Sequence, residues 1–265
     1  MAGFSRFLSV LRLFNEAESA WTVPGMADAM GVPASTVYRT VRDLVAAGFL
    51  EQATEAAYRL GPAFIEFDRS LRLTDPLVVA GRPVLHDVVM QAHVPCVAML
   101  ARFYNGAVMC VADEAAADTP FRPSYERGRP MPLTRGSTSK VILAHLPTRQ
   151  FNKLMDDHAA LDVAALRTEL ADIRKRGFCS TASEIDKGLA GISAPVILKD
   201  AGIVASLSLV AHDDALDEGQ RRRLILLVVS AASLLTEDLR RRHEAGGSNT
   251  RKIMGQSNDG PGNGK

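Results

Sequence analysis

The stretch VPGMADAMGVPASTVYRTVRDLVAAGFLEQATEAAYRL, residues 23–60, has the pattern of two helices followed by a small hairpin. Val37, Val41 and Leu44 recur at spacings of four and three, so they form one apolar face of a helix. A shorter helix precedes the turn at 31–33, where a glycine accepts positive φ and a proline suits a helix start. Two helices joined by such a short turn are typical of a helix-turn-helix.

The end of this stretch predicts a wing. Gly48 is placed to end the second helix, and the runs 49–52 and 57–60 flank four residues that suit a hairpin turn. The sequence therefore predicts a winged helix-turn-helix whose second helix, residues 34–47, enters a DNA major groove.

The outer face of that second helix carries residue types that contact DNA. Arginine reads guanine edges with two hydrogen bonds, whereas hydroxyl groups contact phosphates or bases. The candidate DNA-binding residues are Ser35, Thr36, Tyr38, Arg39 and Arg42. The alternative is a helical hairpin that only packs a small core. Residues 1–60 hold five arginines and six acidic residues, so tight binding would need these few arginines on one face and a second copy of the unit.

Composition narrows the class of protein. The 265 residues carry a formal net charge of +1, which argues against a general polyanion binder. The cysteines at 96, 110 and 179 lie far apart, which disfavours a disulfide framework and fits a reducing cytoplasm. The N-terminus lacks a signal-peptide pattern, and the apolar run 224–235 is too short to span a bilayer. We therefore expect a cytoplasmic protein with no membrane partner and no cofactor.

The rest of the chain alternates between helical and strand-like patterns. Asn105-Gly106 is a strong hairpin signal, because both residues accept positive φ. Strands are predicted at 97–103, 107–112, 191–198 and 203–211, and helices at 4–17, 63–73, 77–92, 137–145, 149–158, 163–176 and 217–242. Helices around a mostly antiparallel sheet make an α+β second domain.

These patterns divide the chain into four parts. The predicted parts are a winged helix-turn-helix at 1–61, a linker helix at 62–76, an α+β domain at 77–243, and a disordered tail at 244–265. The tail is rich in Gly, Ser and Asn and has almost no apolar residue to build a core.

Three segments in this order resemble the IclR family of bacterial transcription regulators. They are PASTVYRTVRDLVAAGFL at 33–50, LTRGSTSKVILAHLP at 133–147 and EIDKGLAGISAPVILKDAGIVASLSLV at 184–210, and the resemblance extends over residues 4–242. It implies that residues 77–243 form a GAF-like effector-binding and oligomerisation domain, which binds a small organic molecule. It also implies a homodimer or homotetramer on a pseudo-palindromic DNA operator.

The resemblance places the effector site around the start of the helix at 137. The implied effector-binding residues are Arg135, Gly136, Ser137, Thr138, Asp186, Ser208 and Val210, and the opposite pocket wall falls on 186–195 and 205–210. Glu184 is a further candidate polar member, although acidic loop residues are more often solvated. Met99, Phe103 and Met109 are candidates for another wall, although apolar strand residues are more often core. Hydroxyls and backbone N–H groups at a helix N-terminus favour a carboxylate, although the same residues suit an ordinary helix cap. Val210 stands where some members carry a second serine, so the pocket is expected to be more apolar than one built for a very small oxo acid, and an aromatic carboxylate is a candidate effector.

Two other readings remain open at this point. A metal-binding enzyme could use His86, His93 and Cys96, or Cys110 or Cys179 as a nucleophile, but no compact metal or catalytic motif such as HExxH occurs. We therefore expect no enzyme activity. A DNA-binding and dimerising module without effector control is the second alternative. The sequence leaves repression and activation equally open.

Overall fold

A computed structural model describes residues 3–156 and 162–256, which form two compact units that meet in sequence at Asp75 and Pro76. The first unit contains α1 (Gly3–Leu11), β1 (Trp21–Thr22), α2 (Val23–Met30), α3 (Ala34–Ala46), β2 (Leu50–Gln52), β3 (Ala57–Leu60) and α4 (Ala63–Thr74). The second contains α5 (Pro76–Ala92), β4 (Cys96–Tyr104), β5 (Ala107–Ala115), β6 (Pro130–Met131), α6 (Ser137–His145), α7 (Thr148–Asp156), α8 (Val163–Arg176), β7 (Cys179–Ala182), β8 (Leu189–Leu198), β9 (Ile203–His212) and α9 (Glu218–Gln256).

The first unit is the predicted winged helix-turn-helix. The Thr22 hydroxyl accepts a hydrogen bond from the Gly25 N–H at 3.2 Å and caps α2, and Gly31 ends that helix at a φ of 62°. The predicted apolar face of α3 is buried in the core of this unit. Strands β2 and β3 form the predicted wing. Strand β1 pairs with β3 as a third strand, which the sequence did not predict because β1 has only two residues.

The first helix is shorter than its apolar pattern predicts. The expected helix at 4–17 ends at Leu11, because the Asn15 side chain accepts from the N–H groups of Ala17 and Glu18 at 2.9 and 3.1 Å. Such a local side-chain turn competes with the helix for the same backbone groups. The Trp21 indole donates to the Leu13 carbonyl at 3.0 Å and holds this turn against the core.

A six-stranded antiparallel sheet in the order β6-β5-β4-β9-β8-β7 organises the second unit. The Asn105-Gly106 hairpin between β4 and β5 is confirmed, with φ values of 48° and 85°. Helices α5 and α9 share one apolar core with one face of the sheet, whereas α6, α7 and α8 share a second core with the opposite face. The α+β class is thus as predicted, and the N-terminus of α6 lies on the second face.

The C-terminal helix runs further than predicted. Residues 244–256 of the expected disordered tail continue α9. Residues 257–265 lie outside the described residues, as do 157 and 158 of the expected helix at 149–158. Extending an existing helix costs far less free energy than nucleating a new one. A prediction from local composition alone does not take this difference into account. No helix in the described part of the chain is long and apolar enough to cross a membrane.

Candidate functional site

The outer face of α3 presents the predicted DNA-contacting side chains to solvent. Ser35, Arg39 and Arg42 are exposed, Thr36 is half-buried, and Tyr38 is 63% exposed although it is a large aromatic residue. Arg42 lies 3.2 Å from Asp43 in an ion pair that is itself open to water. Because exposed pairs of this kind contribute about 0–1 kcal/mol, Arg42 can exchange this partner for a phosphate or a base at little cost.

The second candidate site surrounds the first turn of α6. Gly136 precedes the helix at a φ of 80°, a backbone conformation that is strained for residues with a side chain. Its N–H points toward the loop between β7 and β8. A cavity of about 30 Å³ lies against this turn. It is lined by Tyr125, Gly136, Ser137, Thr138, Thr181, Glu184, Ile185, Asp186, Leu189, Ala190, Gly191 and Val210. That volume is close to the space of one water molecule.

Behind the cavity, buried hydroxyl groups from α6, β8 and β9 form one hydrogen-bonded cluster. Ser193 Oγ lies 2.8 Å from both Ser137 Oγ and Ser208 Oγ, and the Thr138 hydroxyl donates to Ser208 Oγ at 3.0 Å. These four side chains are at most 2% exposed. A polar cluster in an apolar core specifies how α6 sits on the sheet, because each unsatisfied hydroxyl would cost stability.

Charged side chains close the mouth of the cavity. Glu184 accepts from the Gly136 N–H at 2.9 Å and from Lys140 Nζ at 2.9 Å, and Lys140 also donates to Glu169 at 2.7 Å. Burial opposes the charge on both Glu184 and Lys140, but their mutual contacts outweigh it. The pKa of Glu184 is therefore lowered and that of Lys140 is raised. Asp186 accepts from the Ser124 N–H at 2.9 Å and from its hydroxyl at 2.5 Å.

The structure brings together most of the effector-binding residues that the sequence suggested. Gly136, Ser137, Thr138, Asp186 and Val210 line the cavity. Two members of the set do not reach it, namely Arg135 and Ser208. The Arg135 guanidinium is exposed and donates to the backbone carbonyl of Glu184, and Ser208 lies one layer behind Thr138. The assignment of all seven residues to an effector stays a prediction.

Beyond these seven residues, the sequence missed Tyr125, whereas Gly191 lies within the pocket wall expected at 186–195. Burial raises the pKa of Tyr125 to about 12, and its hydroxyl lies 2.7 Å from Ser139 Oγ. Nothing in the Pro-rich passage around Tyr125 indicates this contact. The local sequence also carried a signal at Gly191, because a glycine inside a strand often marks a close approach. A Cβ there would lie 2.6 Å from Ser137 Oγ. Met99, Phe103 and Met109 do not line the cavity.

The residues of the enzyme alternative do not form a reactive group. Burial raises the pKa of the Cys96 thiol to about 11 and those of Cys110 and Cys179 to about 12, so these thiols are protonated near neutral pH. His86 lies 3.3 Å from Glu114 in an exposed contact. Within residues 3–156 and 162–256, no three His, Cys, Asp or Glu side chains are grouped so that they could hold a metal ion.

Comparison with protein families covers both units. The model of the IclR helix-turn-helix domain matches residues 4–54, and that of the bacterial transcriptional regulator IclR C-terminal domain matches residues 81–236. The chain belongs to the IclR family. Members of this family are transcriptional regulators and not enzymes, so the chain is a regulator with a DNA-binding domain and a C-terminal effector domain.

Named IclR-family relatives are distant but match along most of their length. The transcriptional regulator KipR of Bacillus subtilis is 23% identical over 80% of this chain and 86% of its own. The Pca regulon regulatory protein of Pseudomonas putida is 20% identical over 80% of this chain and 75% of its own. An IclR homologue from Microbacterium hydrocarbonoxydans, solved in complex with 4-hydroxybenzoate, shares the fold with a TM-score of 0.71 and 22% identity over 90% of this chain and 99% of that one.

Proposed function

We propose that this regulator binds a pseudo-palindromic operator as a homo-oligomer in the cytoplasm, and that a small organic acid at the α6 cavity changes its operator affinity. The observation that carries the effector part is the carboxylate position at the first turn of α6. There, the Gly136 N–H and the ammonium of Lys140 both donate to the carboxylate of Glu184. The Lys140 side chain is only 10% exposed. Helix N-termini and buried cations favour anions, so the chemistry suits an acid group.

An aromatic carboxylate is the class that we favour. Ile185, Leu189 and Val210 supply apolar walls beside the polar turn, which suits a ligand with a ring at one end and an acid at the other. The IclR homologue that was solved with 4-hydroxybenzoate has the same fold, which supports a hydroxybenzoate as the first compound to test.

Self-association is supported by α4, which has no buried residue. Phe64, Phe67 and Leu71 lie on one side of this helix, and the last two remain 53% and 55% exposed although Phe49 packs against the two phenylalanines. A second copy would cover this apolar stripe. It would also supply the second recognition helix that a near-neutral DNA-binding unit needs.

A thermal-shift screen followed by a DNA-binding titration tests the proposal. Purified protein is heated with 4-hydroxybenzoate and other small carboxylic and oxo acids, and each hit is repeated against operator DNA at fixed salt. A ligand at 100 times its Kd should stabilise the protein by about 2.7 kcal/mol. The expected result is saturable stabilisation together with a change in operator affinity.

Matched serine variants locate the effector. Ser137→Ala removes a hydroxyl that lines the cavity, whereas Ser206→Ala removes an equally buried hydroxyl that bonds the Thr138 carbonyl and does not line it. We expect only Ser137→Ala to weaken the ligand response, with operator binding by the ligand-free protein unchanged in both. Equal loss of the response in both variants would point to a structural role of the serines.

The small volume of the cavity favours one alternative, a DNA-binding module without effector control. This alternative predicts intact operator binding and no stabilisation by any acid in the screen. Hits that stabilise the protein without changing operator affinity would also support it, because such ligands would bind both states equally.

A further inference from the structure

The carboxylate at the first turn of α6 belongs to the protein itself. One oxygen of Glu184 accepts from the Gly136 N–H and the other accepts from Lys140 Nζ, each at 2.9 Å. Glu184 comes from the loop between β7 and β8, 48 residues further along the chain than Gly136. The position that suits an effector's acid group is therefore filled by an acid side chain.

The other donors around this position are also satisfied from within the chain. The Ser137 N–H donates to Thr181 Oγ1 at 3.1 Å, and the ammonium of Lys140 makes its second ion pair with Glu169. Within the described residues, no buried side-chain nitrogen or oxygen lacks a hydrogen-bond partner. With a volume of about 30 Å³, the cavity is small beside the roughly 300–1,000 Å³ of typical ligand pockets.

The loop that carries Glu184 is compact and lies between strands β7 and β8. Ser183 has a φ of 54° and Gly188 one of 79°, and the Gly188 N–H donates to Ser183 Oγ at 3.0 Å across the base of the loop. Side-chain hydrogen bonds tie the loop to the cavity, namely those of Glu184, of Arg135 to the Glu184 carbonyl, and of Asp186 to Ser124. Ile185 also packs against the core beside the cavity, and the Gly188 carbonyl accepts from the Asp213 N–H at 2.9 Å. Loss of the Glu184 contact would therefore loosen one side of the loop.

We propose that Glu184 is a built-in carboxylate that occupies the acid position of the effector site, and that an acidic effector binds by displacing this side chain and releasing loop 183–188. This inference rests on the proposed effector role of the cavity. It makes the loop a two-state element, with the Glu184 side chain bound in one state and the effector bound in the other. The apparent affinity for an acid is then the intrinsic affinity multiplied by the fraction of molecules in which Glu184 has left the site.

Rescue by acetate tests the acid position without DNA and without an effector. Glu184→Ala empties the position, so acetate should raise its unfolding midpoint saturably, whereas chloride at the same ionic strength should not. Glu169→Ala is the matched control, because it also removes a carboxylate from Lys140 but leaves the Gly136 N–H occupied. Acetate should give no saturable gain with this control or with the unsubstituted protein. Equal responses of the two variants, or no response, would overturn the proposal.

A second variant measures the competition directly. Glu184→Gln keeps the shape of the side chain but loses the charge, so it should bind 4-hydroxybenzoate on the order of tenfold more tightly than the unsubstituted protein. Glu169→Gln should not. If Glu184→Ala folds in neither salt, Glu184→Gln decides, and an unchanged affinity overturns the proposal. Acetate rescue without any response to 4-hydroxybenzoate would support the built-in carboxylate while counting against the proposed aromatic effector.

Discussion

At the scale of single residues, base recognition in the proposed DNA complex depends on Arg39 and Arg42. Both are exposed on α3, and arginine contacts guanine with two hydrogen bonds. We expect Arg39→Ala and Arg42→Ala each to weaken operator binding by about 1–3 kcal/mol, and to relax the preference at one base pair if that side chain contacts a base. Titrations against operator and single-base variants at fixed salt measure both effects.

A surface arginine elsewhere serves as the control for these variants. Arg176 in α8 is ion-paired with Asp172 at 2.8 Å and lies in the other unit of the chain. Arg176→Ala should bind operator like the unsubstituted protein, because it changes the net charge equally without altering α3. If both α3 variants also bind normally, the recognition helix has been assigned to the wrong element.

Glu184 gives a pH dependence of known sign. Although burial disfavours its charge, the Gly136 N–H and Lys140 lower its pKa below 4.5. The unfolded chain therefore takes up this proton first as pH falls, so the stabilisation by the carboxylate is complete above about pH 4.5 and is lost below it. Urea unfolding should show a constant stability gap between the unsubstituted protein and Glu184→Gln from pH 7 to 6, and a shrinking gap toward pH 4. A gap that widens on acidification would contradict this assignment.

At the scale of elements, α4 tests the proposed dimer. Leu71→Glu places a charge in the exposed apolar stripe of this helix, whereas Arg69→Glu places the same side chain on the opposite side, about 160° around the helix axis. We expect Leu71→Glu to raise the dimer dissociation constant and weaken operator binding. Sedimentation at several concentrations gives the oligomeric state. The Arg69→Glu protein should stay associated, and equal dissociation of the two variants would argue against this stripe.

Elements with a strong local signal could be predicted from sequence, and those made by distant contacts could not. Asn105-Gly106 fixes its hairpin with two adjacent residues, and Gly177 ends α8 in the left-handed conformation at a φ of 77°. Strand β7, in contrast, has only four residues and exists because it pairs with β8. Local periodicity carries little information about such an edge strand.

The same distinction explains the outcome at the effector site. The turn from Gly136 to Thr138 is contiguous, so its motif located it correctly beside the cavity. The partners that close the cavity, Thr181 and Glu184, come from 44 to 48 residues away and are brought there by the order of the strands. The sequence could therefore indicate a candidate acid-binding turn and offer Glu184 as a possible neighbour, but it could not indicate that the Glu184 carboxylate contacts Gly136 and Lys140 there.

At the scale of the whole molecule, the low net charge suits the proposed control of operator affinity by an effector. The net charge is +1, so little nonspecific attraction to DNA is available to mask changes in specific affinity. A modest shift in how two recognition helices are presented would then change operator occupancy. An effector that releases loop 183–188 needs to supply only the coupling free energy of such a shift, which is typically about 1–3 kcal/mol.

Coupling between operator and effector must be reciprocal, and this gives the most general test. If 4-hydroxybenzoate changes operator affinity by a certain factor, saturating operator must change the affinity for 4-hydroxybenzoate by the same factor, about 5-fold to 150-fold for typical couplings. Calorimetric titration of the ligand with and without operator measures one factor, and DNA titration with and without ligand measures the other. Unequal factors at one protein concentration would mean that a further equilibrium, such as dimer dissociation through α4, is linked to binding. Factors of one on both sides would instead identify a DNA-binding module that does not respond to this acid.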